Sequence, residues 1–134
     1  MANIRHNTRQ YAVQSLYAHE FHENREDMTF PEGHMGKIDK KYAQLMINGV
    51  LSHTDQLDVW IQTYSKKWKV EHMDRVDRSI LRLAMWEMKL APDVLPKPIA
   101  INEAIQLAKE FGTDDSYKLV NGILDAFVKG ERIV

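Results

Sequence analysis

The apolar residues of this 134-residue chain recur every three or four positions through most of its length. That spacing places side chains on one face of an α-helix, whereas a half-buried strand requires strict alternation. No run of five or more residues alternates convincingly in this way. The pattern therefore predicts an all-α fold, with helical stretches near residues 4–22, 42–50, 57–64, 76–88, 101–108 and 116–127.

The fourth of these stretches is apolar on two faces rather than one. Val76 and Ile80 lie on one face, while Leu81 and Met85 lie on another. A helix with two apolar faces is covered on both sides by other elements. We therefore expect this helix to be central and to stop at Pro92.

Breaks between the helices are marked by proline, glycine and polar residues. Two further prolines in the segment 93–98 prevent it from being helical throughout. Gly112 is in the usual position after a last turn, and Thr113 and Asp114 are suited to cap the final helix. Residues 23–36 are polar and acidic with one proline and two glycines, which predicts a flexible connection.

Composition excludes several classes of protein. The chain has no cysteine, which removes disulfide scaffolds and thiolate metal sites. No apolar run approaches the roughly 18 residues of a membrane-spanning helix, and the first residues lack the apolar centre of a signal peptide. We expect one domain over residues 1–134, located in the cytoplasm, with no membrane contact.

Reactive groups that converge on one site are scarce, so we do not expect an enzyme or a cofactor. The Walker-type, GxGxxG and GxSxG motifs are all absent. His19 and His22 are three residues apart, with Glu23 next to them, which is a possible metal-binding spacing. A polar helix end that leads into an acidic loop is the more common meaning of such a cluster, and we predict no metal.

Basic residues are concentrated in two places, although the net charge is only −1. Residues 1–18 contain Arg5 and Arg9 and no acid, and residues 64–82 hold six lysines and arginines against three acids. Aromatic side chains next to such cations suit single-stranded RNA, because bases stack on rings while phosphates need positive charge. Surface charge exposed to solvent explains the same pattern without a ligand.

Two groups of residues keep alternative interpretations. Arg75, Arg78 and Arg82 share one helical face, which suits either a phosphate-binding row or a solvated face with local ion pairs to Asp74 and Asp77. A second ambiguity concerns Tyr64. It ends an apolar stripe beside lysines, so its ring is either a stacking platform or part of the core.

Four segments follow one another in a fixed order. They are RHNTRQYAVQSLYAHE at residues 5–20, RSILRLAMWE at 78–87, KPIAINEAIQLAKEFG at 97–112 and SYKLVNGILD at 116–125. Together they resemble the NusB family of bacterial transcription antitermination factors. The resemblance covers nearly the whole chain and implies about seven helices in two packed sub-bundles. It also implies binding of a single-stranded boxA element in nascent ribosomal RNA leader transcripts, together with ribosomal protein NusE, in an RNA polymerase antitermination complex.

The resemblance implies particular site residues. The family's RNA surface includes the basic N-terminus, the end of the third helix and the start of the last helix, which here are Arg5, His6, Arg9, Tyr64, Lys66, Asp115, Lys118 and Leu119. The family's NusE-binding surface uses the central helix and the loop after it, which here are Asp77, Arg82, Trp86 and the loop Asp93–Pro98.

Two departures from the family pattern imply a lower affinity for RNA. Leu119 stands where the family often has Phe, and the basic N-terminal segment (residues 5–9) has fewer arginines than is usual. We expect Arg5 and Arg9 to project to solvent, because they precede the apolar stripe of their helix. RNA binding by the chain alone is then expected to be modest and to be tightened by NusE.

Other motif residues are expected to be structural. Gly122 lies in mid-helix, where a glycine costs about 1 kcal/mol relative to alanine, and we expect close approach of a neighbouring helix to compensate. Asn102 and Glu103 are expected to satisfy exposed amides or to pair with an arginine such as Arg82.

Two other functions fit the same sequence. One is the RNA-binding module of a ribosomal RNA methyltransferase, although no glycine-rich loop of a catalytic domain follows. The other is a helical adaptor that binds only protein. Methionine and tryptophan exposed on the central helix would also allow a homodimer.

Overall fold

The computed structural model describes residues 3–20 and 36–130, and every regular element in those residues is a helix. The elements are α1 (Ile4–His19), α2 (Lys40–Ser52), α3 (Thr54–Tyr64), one turn of 3-10 helix (Val70–His72), α4 (Arg75–Lys89), α5 (Lys97–Phe111) and α6 (Ser116–Lys129). The all-α prediction is confirmed, and the described residues hold six α-helices where about seven were expected. The connection predicted over residues 23–36 lies outside the described residues apart from Gly36.

Helix α4 occupies the centre of the molecule, as its two apolar faces predict. It packs against α1 and α2 on one side and against α3, α5 and α6 on the other. Asp74 caps its start, because the Oδ1 atom accepts hydrogen bonds from the backbone N–H groups of Val76 at 2.8 Å and Asp77 at 3.4 Å. Helices α1 and α2 also pack on each other, as do α5 and α6, which gives the two sub-bundles.

Trp86 lies in the core, and α2 is shaped to receive it. Its side chain is only 2% exposed. A Cβ atom at Gly49 of α2 would lie 2.3 Å from the indole ring, so only glycine allows the two helices to come this close. This close approach at Gly49 was not predicted from the sequence, which placed one at Gly122 instead.

The prediction for Gly122 is wrong. A Cβ at this position of α6 would meet nothing within 4 Å, and the residue is exposed. The expected cap of α6 by Thr113 and Asp114 is also wrong, because the chain turns once more and α6 begins at Ser116. The Ser116 Oγ atom instead accepts a hydrogen bond from the Thr113 N–H at 2.9 Å.

None of the described helices is both long enough and apolar enough to cross a membrane. The same residues contain no cluster of three metal-ligating side chains. The spacing of His19, His22 and Glu23 is not tested, because His22 and Glu23 lie outside the described residues.

Candidate nucleic-acid interface

Arg5 is the exposed cation of the basic N-terminal segment. Its guanidinium lies 3.7 Å from the centre of the Tyr42 ring on α2, a cation–π contact. The Tyr42 hydroxyl in turn donates a hydrogen bond to Glu87 Oε2 at 2.6 Å. Burial and the neighbouring Glu87 carboxylate raise the pKa of Tyr42, so its hydroxyl stays protonated and remains a donor. The Tyr42 ring that contacts Arg5 is therefore itself held in position by the hydrogen bond to Glu87.

Arg9 does not project to solvent, and that expectation is wrong. The residue is 4% exposed, and its Nε and Nη2 atoms donate to the two carboxylate oxygens of Glu87 at 2.8 and 3.1 Å. Arg9 lies on the face of α1 that packs against α4, and a charge buried there needs a partner of opposite charge. The side chain thus joins α1 to the central helix.

His6 is also buried, with 8% of its surface exposed. Its Nδ1 atom lies 2.7 Å from Glu103 Oε2, and its Nε2 atom lies 2.9 Å from Glu110 Oε1. Glu103 has a structural role, as expected, but its partner is His6 rather than Arg82. Its Oε1 atom also lies 3.8 Å from Arg9 Nη1. His6 therefore anchors α1 to α5.

The end of α3 presents one lysine and one half-buried ring. Lys66 is exposed in the loop that follows α3, and Tyr64 is half-buried. The Tyr64 ring meets Phe127 of α6 edge to face, with 5.9 Å between the ring centres. The core interpretation of Tyr64 is therefore confirmed in part, because one side of the ring packs on Phe127. The residue keeps an accessible surface, and its stacking role stays a prediction.

The start of α6 faces the loop after α3 across a pocket of about 420 Å³. Trp68, which is 50% exposed, lines this pocket together with Asp115 and Leu119 of α6. Lys118 is exposed beside them, with its Nζ atom 3.8 Å from Asp115 Oδ1. The pocket thus places Trp68 beside the predicted residues Asp115 and Leu119, whereas the predicted residues Tyr64 and Lys66 do not line it. Glu110 links the basic N-terminal segment to the helix that leads into α6.

Two of the three residues predicted to bind the protein partner are inside the molecule. Asp77 is 5% exposed, and burial raises the pKa of its carboxyl group. Trp86 is 2% exposed, and Met85 and Met88 are buried too, so the methionine and tryptophan surface expected for a homodimer on this helix is absent from it. These side chains face the core because α4 is covered on both sides.

Arg78 and Arg82 of α4 are ion-paired, but their side chains are only 12% and 14% exposed, so the expected solvated face with pairs to Asp74 and Asp77 is wrong for them. Arg78 Nη2 lies 2.7 Å and Arg82 Nη1 lies 3.1 Å from Glu20 Oε1 at the end of α1. Arg82 also binds both carboxylate oxygens of Asp58 on α3, at 2.7 and 2.8 Å. The partners are thus carboxylates of other helices rather than Asp74 and Asp77 of the same helix.

The sequence reasoning missed Tyr42, Glu87 and Glu110, which hold the basic N-terminal segment in place. Glu87 left a signal, since it is an acid within the run of buried residues on α4. A carboxylate in a central helix requires a buried cation, and Arg9 is that cation. Tyr42 and Glu110 lie outside the fully buried positions of their helices and offered no comparable signal.

Comparison with known proteins identifies the family to which this chain belongs. A model of the NusB family matches residues 6–129. The chain belongs to the NusB family. Transcription antitermination protein NusB of Bdellovibrio bacteriovorus is 43% identical over 124 residues, which cover 90% of this chain and 92% of that protein. The corresponding protein of Geobacter sulfurreducens is 39% identical over 122 residues, covering 87% of this chain and 88% of that protein.

Solved structures of the NusB family share the fold. The structure of T. maritima NusB aligns with a TM-score of 0.80 and 31% identity, covering 99% of this chain and 96% of that one. A crystal structure of NusB and NusE in complex with dsRNA aligns with a TM-score of 0.75 and 19% identity, covering 98% and 100% of the two chains. The resemblance seen in the four sequence segments is confirmed, and the chain is a relative of transcription antitermination factors.

One prediction concerns the Tyr64 ring. We expect Tyr64→Ala to weaken RNA binding by about 1–3 kcal/mol, because bases no longer stack on the ring. Removal of the edge-to-face packing against Phe127 should lower the free energy of unfolding by about 0.5–1.5 kcal/mol beyond the effect of the buried area. Tyr64→Phe keeps both ring interactions and is the matched control. Chemical denaturation and RNA titration of both variants are the measurements, and a folded Tyr64→Ala protein with unchanged RNA affinity would contradict the stacking role.

Proposed function

We propose that this chain binds the boxA element of nascent ribosomal RNA leader transcripts jointly with NusE, as part of an RNA polymerase antitermination complex in the cytoplasm. The observation that carries the proposal is the placement of Arg5, an exposed cation held over the Tyr42 ring at one edge of a NusB fold. Lys66 and Lys118 are exposed at the two other segments of the same predicted surface. The solved complex of a NusB chain with NusE and dsRNA supports the proposal.

Single-stranded RNA suits this surface because the cations alternate with rings. Trp68 is half exposed beside a pocket large enough for a base, and Tyr64 retains part of its surface next to Lys66. Phosphates would lie on the lysines and Arg5, and unstacked bases on the rings. The protein acts by binding, since the buried titratable groups described above are committed to holding helices together.

His6 and Arg9 enter this proposal as supports rather than as RNA contacts. Both are buried and both are bonded to carboxylates of other helices. Arg5 is then the one arginine of the basic N-terminal segment that is exposed, and Leu119 supplies no ring. These features support a modest affinity of the chain alone for RNA and a strong dependence on NusE.

The test is a titration of boxA RNA with and without NusE. We expect NusE to tighten RNA binding, and RNA must then tighten NusE binding by the same factor, because coupling between two sites is reciprocal. Gel-shift or fluorescence anisotropy titrations measure the first factor, and calorimetry with NusE measures the second. Equal RNA affinity with and without NusE would contradict joint recognition.

A further inference from the structure

His6 is bonded to a carboxylate through each of its ring nitrogens. Nδ1 lies 2.7 Å from Glu103 Oε2, and Nε2 lies 2.9 and 3.1 Å from the two oxygens of Glu110. An ionised carboxylate only accepts hydrogen bonds, so both ring nitrogens must donate. Neutral imidazole has a single N–H group. With both glutamates ionised, the geometry fits the doubly protonated imidazolium, which donates one hydrogen bond to each of them.

The charged groups around His6 come from several helices. Helix α5 contributes Glu103 and Glu110, and α1 itself contributes Arg9, whose Nη1 atom is 3.8 Å from Glu103. Helix α4 contributes Glu87, which is paired with Arg9. On α2, the neutral Tyr42 hydroxyl completes the set through Glu87.

The segment before α2 meets α1 through uncharged groups. The Thr8 Oγ1 atom accepts a hydrogen bond from the Asp39 N–H at 2.9 Å, and the Asn7 side-chain amide donates to the Lys37 carbonyl at 3.2 Å. Gln10 adds a further neutral contact, since its side-chain amide donates to Glu110 at 3.2 Å.

The proton of His6 sets the charge of this cluster. With His6 protonated, two cations (His6 and Arg9) face three carboxylates (Glu87, Glu103 and Glu110). Without the proton, one cation faces the same three carboxylates. Arg5 is the residue next to His6 in the chain and lies over Tyr42, which is bonded to Glu87. Deprotonation of His6 thus makes the net charge of the cluster next to Arg5 more negative, and it removes a hydrogen bond between α1 and α5.

We propose that Glu103 and Glu110 position the basic N-terminal segment for RNA by holding His6 as an imidazolium, so that RNA binding is coupled to protonation of His6. The inference rests on the proposed RNA-binding function. An RNA phosphate at Arg5 is repelled by the added negative charge when His6 is neutral. RNA therefore binds more tightly to the protonated protein, and by linkage it holds the proton more firmly on His6.

The surroundings of His6 determine the direction in which its pKa is shifted. Burial on its own would lower the pKa of His6, but hydrogen bonds to Glu103 and Glu110 outweigh it and raise the pKa above its ordinary value of 6.5. His6 thus contributes stability that is complete below pH 6.5 and is lost as the pH rises through the raised pKa. RNA affinity should fall over the same interval.

Two variants separate this coupling from a merely structural role. Glu110→Gln retains an acceptor for the Nε2–H group but removes one negative charge, and the Glu110 side chain is 31% exposed, so the fold should tolerate it. His53→Gln is the matched control, because His53 is an exposed histidine bonded to the Gly49 carbonyl and lies outside the residues assigned to the RNA surface.

The experiment measures boxA RNA affinity by anisotropy between about pH 6 and about pH 9, a series that begins below the ordinary histidine pKa of about 6.5 and extends above it. NMR of the His6 ring is recorded with and without RNA. We expect roughly fivefold weaker binding of RNA by the wild type at high pH, the lower end of typical couplings between sites. The Glu110→Gln profile should shift to lower pH, the His53→Gln profile should keep the wild-type midpoint, and RNA should raise the pKa of His6.

The possible failures are distinguishable. RNA binding with the same pH profile in the wild type and in Glu110→Gln overturns the inference and leaves the proposed function standing. An equal pKa of His6 in free and RNA-bound protein overturns it as well. Absence of RNA binding at every pH contradicts the proposed function, and the inference with it.

Discussion

Arg9→Ala is expected to lower the free energy of unfolding by about 3–5 kcal/mol, because it leaves the Glu87 carboxylate buried without its cation. The side chains of Arg9 and Glu87 are only 5% and 3% exposed. After the substitution Glu87 would keep one described donor, the Tyr42 hydroxyl. Chemical denaturation of wild type and variant measures the difference.

Arg5→Ala is the matched control, since it removes the same type of side chain one helical turn earlier on the same helix. Arg5 is exposed and contacts the Tyr42 ring, so we expect a loss of stability of about 0.5–1 kcal/mol, the usual size of an exposed cation–π contact. RNA affinity should nevertheless fall, and the log–log salt slope should become smaller by about 0.7, because the variant neutralises one phosphate fewer on a single strand. An Arg9→Ala protein as stable as Arg5→Ala would contradict the buried ion pair.

Trp86→Ala is expected to destabilise the protein by about 3–5 kcal/mol, because the indole is no longer buried and a cavity takes its place. The ring is 2% exposed and lies against Gly49, where no side chain is present to fill the space. Because α4 packs against every other α-helix described, relaxation around the cavity is restricted. Thermal and chemical denaturation measure the change in stability.

Trp68→Ala provides the comparison for Trp86, because Trp68 is 50% exposed in the loop after α3. It should change stability much less and weaken RNA binding by about 1–3 kcal/mol if a base stacks on its ring. Equal destabilisation by the two substitutions would contradict the placement of Trp86 in the core. This comparison also tests the partner surface, since a buried Trp86 offers no ring to NusE.

The helices themselves were predictable because each signal is local. The spacing of apolar residues in α4 predicts both the helix and its central position, and the prolines before α5 set its start. Gly112 ends α5 where the pattern predicts, with its N–H bonded to the Ala108 carbonyl at 2.9 Å. Burial patterns along one helix follow from the sequence of that helix.

Charge pairing was not predictable because the partners are distant in sequence. Arg9 and Glu87 are separated by 78 residues, and His6 lies 97 residues from Glu103. From α1 alone, cations that precede an apolar stripe look like solvent-exposed side chains. The packing of α1 on α4 and α5 buries His6 and Arg9 and leaves Arg5 exposed. The family resemblance alone could not show this difference between the three residues.

Contacts between helices that are distant in sequence also explain why the prediction failed at Gly122 and missed Gly49. In a helix, glycine is unfavourable whether or not a neighbour approaches, so the sequence of α6 suggests a contact at Gly122 that the fold does not make. Gly49 has the contact because Trp86 of α4 faces it. The difference depends on how the helices are arranged around α4.

Affinity for boxA RNA against a scrambled RNA of equal length, measured with NusE present at two salt concentrations, tests the central claim most directly. We predict tighter binding of boxA at both concentrations, because unstacked bases held on the rings expose edges that can be read by hydrogen bonds, while the cations act on any phosphate. Both RNAs should bind more weakly at the higher salt concentration. Equal affinity for the two RNAs at both concentrations would contradict sequence-specific recognition by this chain and NusE.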